Sequence, residues 1–254
     1  MATEAATAPN PIEQFEITRI WPFKISGIET SFTNASLFML LAALGVVALM
    51  ILATSKKAIV PGRVQALAEM LYEFVAGMVR QTAGTEGMKF FPFVFTLFSF
   101  ILIANLIGLI PYTYSVTSQI VVTFAFAAFV ILLVVLYGVY RHGFGFLKLF
   151  VPHGVPLPVL FVLVPIEIIS FLSRPISLSV RLFANILAGH ITLAVFGGFV
   201  MMLLGAGAWA ALAPVPLAAI VALYALELLV ACLQAFVFSV LTCVYLNDAI
   251  HPGH

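Results

Sequence analysis

The chain has 254 residues, 63% hydrophobic and only 8% charged, with a formal net charge of +1 and a mean hydropathy of +1.20. A soluble domain carries roughly 45–50% apolar and about 25% charged residues, so this chain cannot cover itself with a polar surface. The charge balance excludes nucleic acid as a partner, because phosphate binding draws on clustered Lys and Arg.

Residues 1–31 are polar and acidic, with four glutamates against Arg19 and Lys24. They lack the basic region and apolar run of a cleaved signal peptide, so the first span is expected to direct insertion. They read as a tail outside the membrane, ahead of a single membrane domain over 32–254. About 20 mostly apolar residues cross a bilayer. That length predicts spans at 32–54, 89–111 and 118–140. A long tract follows from 158 to 247, broken at 205–214 into spans at 158–204 and 214–247. The last two exceed an upright crossing and are expected to lie tilted, as a hairpin. Over 61–84, Val64, Leu67, Leu71, Val75 and Met78 recur at helical spacing, while Arg63, Gln65, Glu69, Glu73 and Arg80 take other faces. This predicts an amphipathic helix at the interface. The fold class is therefore all-α: a polytopic membrane protein with five spans and one interfacial helix.

Lys56, Lys57, Arg63, Arg80 and Lys89 follow the first span, and Arg141 and Lys148 follow the third. The connectors at 112–119 and 205–213 carry no charge. The positive-inside bias then puts the N-terminus outside and the C-terminus in the cytoplasm. Trp21, Trp209, Tyr112 and Tyr114 fall near the outer boundary. Cys232 and Cys243 share one helix, roughly 16 Å apart, too far to bridge.

The most apolar third of the chain, 158 to 247, holds four charged residues: Glu167, Arg174, Arg181 and Glu227. A charge at mid-bilayer costs at least about 2.5–3.5 kcal/mol on insertion scales, so the four ask for partners or water. At about 100° per residue, Glu167, Ser170, Arg174, Ser177, Arg181 and Asn185 lie within roughly 40° of one line along a helix. His190 projects to nearly the opposite face, roughly 13 Å further out. Glu227 and Gln234 are a heptad apart on the last helix and share a face. That helix runs back inward, so Glu227 is expected level with His190, and Gln234 nearer Arg181.

Two polar regions result. The outer one holds His190, Glu227 and Asn185, and the inner one holds Glu167, Ser170, Arg174 and Ser177. Arg181 stands between them. Such half-depth wet paths, separated by a fixed cation, let protons enter and leave without passing straight through. Plainer roles stand beside this reading. Arg174 snorkels to the inner interface, Glu167 complements a helix dipole, the serines bond their own backbone, and Asn185 and Gln234 join helices. Arg181 lies too deep for the first of these.

"RPISLSVRLFANILAGH" closely resembles the signature helix of subunit a of F-type ATP synthases, the stator subunit facing a rotating ring of c subunits. "ANLIGLIPY" and "YALELLVACLQAFVFSVLTCVYLNDAI" resemble two further motifs of that family, and the likeness runs from about residue 32 onward. The resemblance implies that Arg181 faces the ring carboxylate, with Asn185 a turn beyond it and Gln234 packed close. It implies that His190 and Glu227 serve the outer half-channel, in the order of the mitochondrial and alphaproteobacterial type. Glu167 and Ser177 match polar residues of the inner path, and Arg174 matches a position that is usually basic. It further implies a bacterial inner-membrane location, b-type peripheral stalk subunits as neighbours, no cofactor, and no catalysis by this chain alone. A secondary transporter is the rival, but it predicts broken-helix repeats in both halves, and the polar residues concentrate in the last third. Zinc-protease and serine-nucleophile signatures are absent.

Overall fold

The computed structural model describes residues 17–25, 28–55, 61–110, 113–143, 145 and 157–251. Lys56, Lys57, Tyr112 and Lys148, which entered the orientation reading, lie outside the described residues. Among the described residues six α-helices carry the structure: α1 (Asn34–Ser55), α2 (Arg63–Gly87), α3 (Phe91–Gly108), α4 (Ile120–His142), α5 (Leu157–Gly205) and α6 (Pro214–Ile250). Among the described residues five helical runs are long and apolar enough to cross a membrane; α2 and α3 count as one of them, and the more apolar part of that run is α3. The chain is a polytopic all-α membrane protein.

One element was not expected. Two short strands, β1 (Arg19–Ile25) and β2 (Ile28–Thr33), pair antiparallel ahead of α1, with Trp21 opposite Phe32 and Ile25 opposite Ile28. The hairpin is tied to α1 at its base, where the Asn34 N–H donates to the Thr18 carbonyl. Thr33 caps the helix: its Oγ1 accepts from the Ser36 N–H at 3.3 Å, which satisfies one of the first-turn donors that has no helical partner.

α2 buries Val75, Ala76, Met78, Val79 and Ala83 against α3 and α6. Val64 and Leu67, on the same apolar stripe, stay exposed at its start. Gly84, with φ +67°, kinks the end of α2, a backbone conformation that a side chain would strain. The chain then turns through a 3-10 segment, Met88–Phe90, into α3. A second 3-10 turn, Val116–Ser118, joins α3 to α4, and a third, Gly207–Leu212, joins α5 to α6.

α6 is the hub, packing on α2, α3, α4 and α5. Phe238, Cys243, Leu246 and Ala249 of α6 meet Val94, Phe98 and Ile101 of α3 and Val130 and Val134 of α4 in one core. α5 closes only one side of the bundle. It continues through Pro165 and Pro175 as a single 49-residue helix, about 74 Å long at 1.5 Å per residue. A bilayer core is about 30 Å thick, so a helix of this length cannot stand upright in it.

Candidate functional site

α5 and α6 run antiparallel, and two contacts fix their register. Arg174 meets Asp248, and Gly189 packs on Glu227. The face of α5 turned into the protein carries Phe171, Leu178, Leu182 and Ile186, all buried. The polar line lies about a quarter-turn round the helix from this seam. Ser170, Ser177, Arg181 and Asn185 are exposed, while Glu167 and Arg174 are half-buried at the margin. The line thus runs along an open edge of the bundle rather than through its core.

At the end of the line nearest the start of α5 the side chains close on one another. Arg174 Nη1 donates to Asp248 Oδ2 at 2.8 Å, and Nη2 stands 4.0 Å from Glu167 Oε1. The guanidinium also lies 5.4 Å from the Phe171 ring centre and 5.2 Å from that of Tyr245, within the range of cation–π attraction. Arg174 is therefore satisfied inside its own chain, by an ion pair across helices. Of the expected inner group, Arg174 and Glu167 come together. Ser170 and Ser177 face outward from the same helix; the Ser170 carbonyl accepts the Ser173 hydroxyl at 2.8 Å.

Arg181, two turns further out, is different. It is exposed, and among the described residues no hydrogen bond or ion pair engages its guanidinium. Asn185 lines the next feature outward, a cleft of about 290 Å³ between α5 and α6 with Gly189, Thr192, Leu226 and Glu227. Glu227 is only 5% exposed, and among the described residues neither carboxyl oxygen finds a hydrogen-bond partner. Gly189 makes room for it: a methyl group there would collide with the Glu227 carboxyl. Gln234 is buried two turns inward on α6, beside Ala231 and Ala235.

His190 opens into another space. It lines a cavity of about 840 Å³ with Asn34, Thr113, Tyr114, Gly197 and Tyr224, bounded by α1, α3, α5 and α6. The expected outer group is thus divided between two adjoining spaces, Asn185 with Glu227 and His190 apart. Among the described residues no cluster of three or more His, Cys, Asp or Glu offers a metal site.

Two residues important to this geometry escaped the sequence reading. Asp248 lies one position beyond the tract searched for charges. Matching positions on two antiparallel helices points to it, since a residue near the start of α5 must meet one near the end of α6. Asn105, inside the quoted "ANLIGLIPY", was assigned no role. It is 1% exposed, donates through Nδ2 to the Ala231 carbonyl at 3.2 Å and accepts the Thr117 hydroxyl at 2.8 Å. It thereby locks α3 and the α3–α4 turn to α6, one turn inward of Glu227. On the other side, Thr123 of α4 and Ser179 of α5 share a buried hydrogen bond of 3.1 Å.

A profile of the ATP synthase A chain family matches residues 36–247, from the first turn of α1 to the last turn of α6. The chain belongs to that family. Among its relatives, the ATP synthase subunit a of Mesorhizobium japonicum is 59% identical over 251 residues, covering 98% of this chain and 100% of the relative. That of Chelativorans sp. is 62% identical over 248 residues, covering 97% and 100%. That of Bartonella tribocorum is 58% identical over 250 residues, covering 98% and 99%. The ATP synthase A chain family match reaches into every helix from α1 to α6 and includes Arg174 and the Gly189–Glu227 contact, while Asp248 lies one residue past its end.

Proposed function

We propose that this chain is the proton-translocating stator subunit a in the membrane sector of an F-type ATP synthase. In this reading Arg181 faces a carboxylate on a ring of c subunits, and two offset half-channels reach it from opposite sides. The observation that carries the reading is the contrast along α5: Arg174 is paired at home, whereas Arg181 is presented on an open face at membrane depth. A permanent cation there needs an acid, and a neighbouring chain is where that acid can come from.

The chemistry follows from the side chains. A ring carboxylate in lipid carries its proton, because desolvation disfavours the anion. Beside Arg181 the anion is stabilised, so the proton leaves into one path and another is taken from the other. A guanidinium cannot itself release its proton under ordinary conditions, so it blocks direct passage between the paths. The outer path runs from the His190 cavity to Glu227 and Asn185, and the inner path passes Ser177, Ser170 and the Glu167–Arg174 pair. Gln234 supports the α6 side. A membrane potential supplies about 2.3 kcal/mol per charge per 100 mV. With the two paths ending at different depths, that drop acts across the short gap at Arg181 and drives the ring sideways.

The chain is not catalytic alone; it works within the complex, with the c ring and b-type stalk subunits as neighbours. The bacterial inner membrane is its location, with residues 1–31 outside, a membrane domain over 32–254 and a cytoplasmic C-terminus. The test is the reconstituted complex carrying Arg181→Ala. Assembly at parental yield with proton-driven ATP synthesis abolished is the expected result, and continued synthesis would sink the reading.

A further inference from the structure

The two outer spaces share a wall. On α5, Gly189 lines the smaller cleft and the next residue, His190, lines the larger cavity. On α6, Leu223 lines the cleft and the next residue, Tyr224, lines the cavity. The α5–α6 seam is therefore the partition, and the buried Glu227 carboxyl, pressed against Gly189, sits within it. Tyr224 is three residues before Glu227, so the two side chains are neighbours on one helix face.

The Tyr224 hydroxyl has a fixed orientation. It donates to the Leu109 carbonyl, which lies just past the last residue of α3, where carbonyls lack helical partners. With its proton committed to Leu109, the phenol oxygen keeps lone pairs only for accepting. Glu227 offers two oxygens with no protein partner, and the cavity on the Tyr224 side holds His190. Asn34, Thr113 and Tyr114 are the other polar side chains lining that cavity, none of them charged.

We propose that Tyr224 is a positioning residue at the inlet, its anchored hydroxyl accepting from and orienting the last water between the outer cavity and the Glu227 carboxyl. That water passes one proton to the Glu227 carboxylate: its O–H bond breaks as the carboxyl O–H forms, and a water behind it in the cavity replaces the proton. Tyr224 keeps its own proton throughout. This role rests on the reading of Glu227 as part of the outer path.

The experiment compares Tyr224→Phe and Tyr224→Ser in the reconstituted complex, measuring proton-driven ATP synthesis per assembled complex. Phe keeps the ring and loses the acceptor, so synthesis is expected to fall about fivefold, the rate equivalent of one hydrogen bond. Ser opens space for water beside a new hydroxyl, and its rate is expected between those of Phe and the parent. A packing role demands the opposite order, because Ser removes the ring. Parental synthesis in Tyr224→Phe, or Ser no faster than Phe, overturns the proposal, and so does failure of either variant to assemble. Glu227→Gln separates the two levels. Parental synthesis in that variant removes the underlying inlet reading. Slow synthesis there beside a parental Tyr224→Phe removes only the role given to Tyr224.

Discussion

Arg174 and Arg181 are the same residue type, two turns apart on one helix, and the fold treats them in opposite ways. Around Arg174 an aspartate, a glutamate and two aromatic rings gather from α5 and α6. Around Arg181, among the described residues, no carboxylate is paired with the guanidinium, and only the charge interaction with Tyr245 reaches it. The difference shows one arginine serving as anchor and the other as the group being positioned. Two contacts fix the register of α5 against α6, Arg174–Asp248 towards the start of α5 and Gly189–Glu227 further along it, and Arg181 lies between them. Its backbone is fixed while its charge remains free for a partner.

The largest expected effect comes from changing the free arginine without changing its charge. Arg181→Lys keeps a cation at the open edge, yet an ammonium deprotonates readily when desolvated, which a guanidinium does not. Synthesis by the reconstituted complex is expected to fall at least about a hundredfold, equivalent to about 2.7 kcal/mol. A lysine complex that turns over like the parent would show that permanence of charge is irrelevant here.

Breaking the anchor gives the next effect, and it is expected in stability more than in turnover. Side-chain exposures of 23% and 28% put Arg174 and Asp248 at the margin of the bundle. Removing one partner strands the other half-buried, which costs about 2 kcal/mol in such a setting. In a double-mutant cycle of Arg174→Ala and Asp248→Ala, read from thermal dissociation of the solubilised complex, the coupling is expected at about 1–2 kcal/mol. Zero coupling would mean that the two charges do not pin the helices.

How much of this was legible in the sequence follows from which signals are local. The spans show because hydropathy accumulates over about 20 residues. The polar line shows because helical spacing is fixed by geometry, and Glu167 to Asn185 indeed share one side of α5. The partner of Arg174 does not show, because Asp248 is 74 positions away and only the α5–α6 register brings it near. The Asn105 bonds to Ala231 and Thr117 are hidden for the same reason. The hairpin carries a local cue of its own, distinct from hydropathy. Ser26-Gly27 separates two runs rich in Ile, Phe, Trp and Thr, a pattern for a two-residue turn. The division of His190 from Glu227 escapes sequence altogether, since it depends on which side of a packed seam each ring or carboxyl opens.

The outer register contact sharpens the comparison from the other end. Gly189→Ala places a methyl group where the Glu227 carboxyl packs, and overfilling of this kind costs about 1–3 kcal/mol. The carboxyl or the helix must shift, so synthesis is expected to slow about tenfold, with Gly198→Ala as the control because nothing stands within 4 Å of a methyl there. Equal rates in the two variants would show that the seam at Glu227 has slack.

The smallest effect belongs to an ion pair that looks as good as the anchor on distance alone. Arg141 Nη1 lies 2.7 Å from Glu86 Oε2, joining the ends of α4 and α2, against 2.8 Å for Arg174 and Asp248. Its side chains are 34% and 44% exposed, so water and salt compete for both charges. Arg141 also retains the Tyr137 hydroxyl, at 3.2 Å, when the carboxylate is removed. Glu86→Gln is therefore expected to leave both assembly and the dissociation midpoint unchanged at physiological salt. A shift as large as that of Asp248→Ala would mean that the inner ends of α2 and α4 are anchored as firmly as α5 and α6. The contrast drawn between pinned and open arginines would then lose its physical basis, because exposure rather than separation is what distinguishes the two ion pairs.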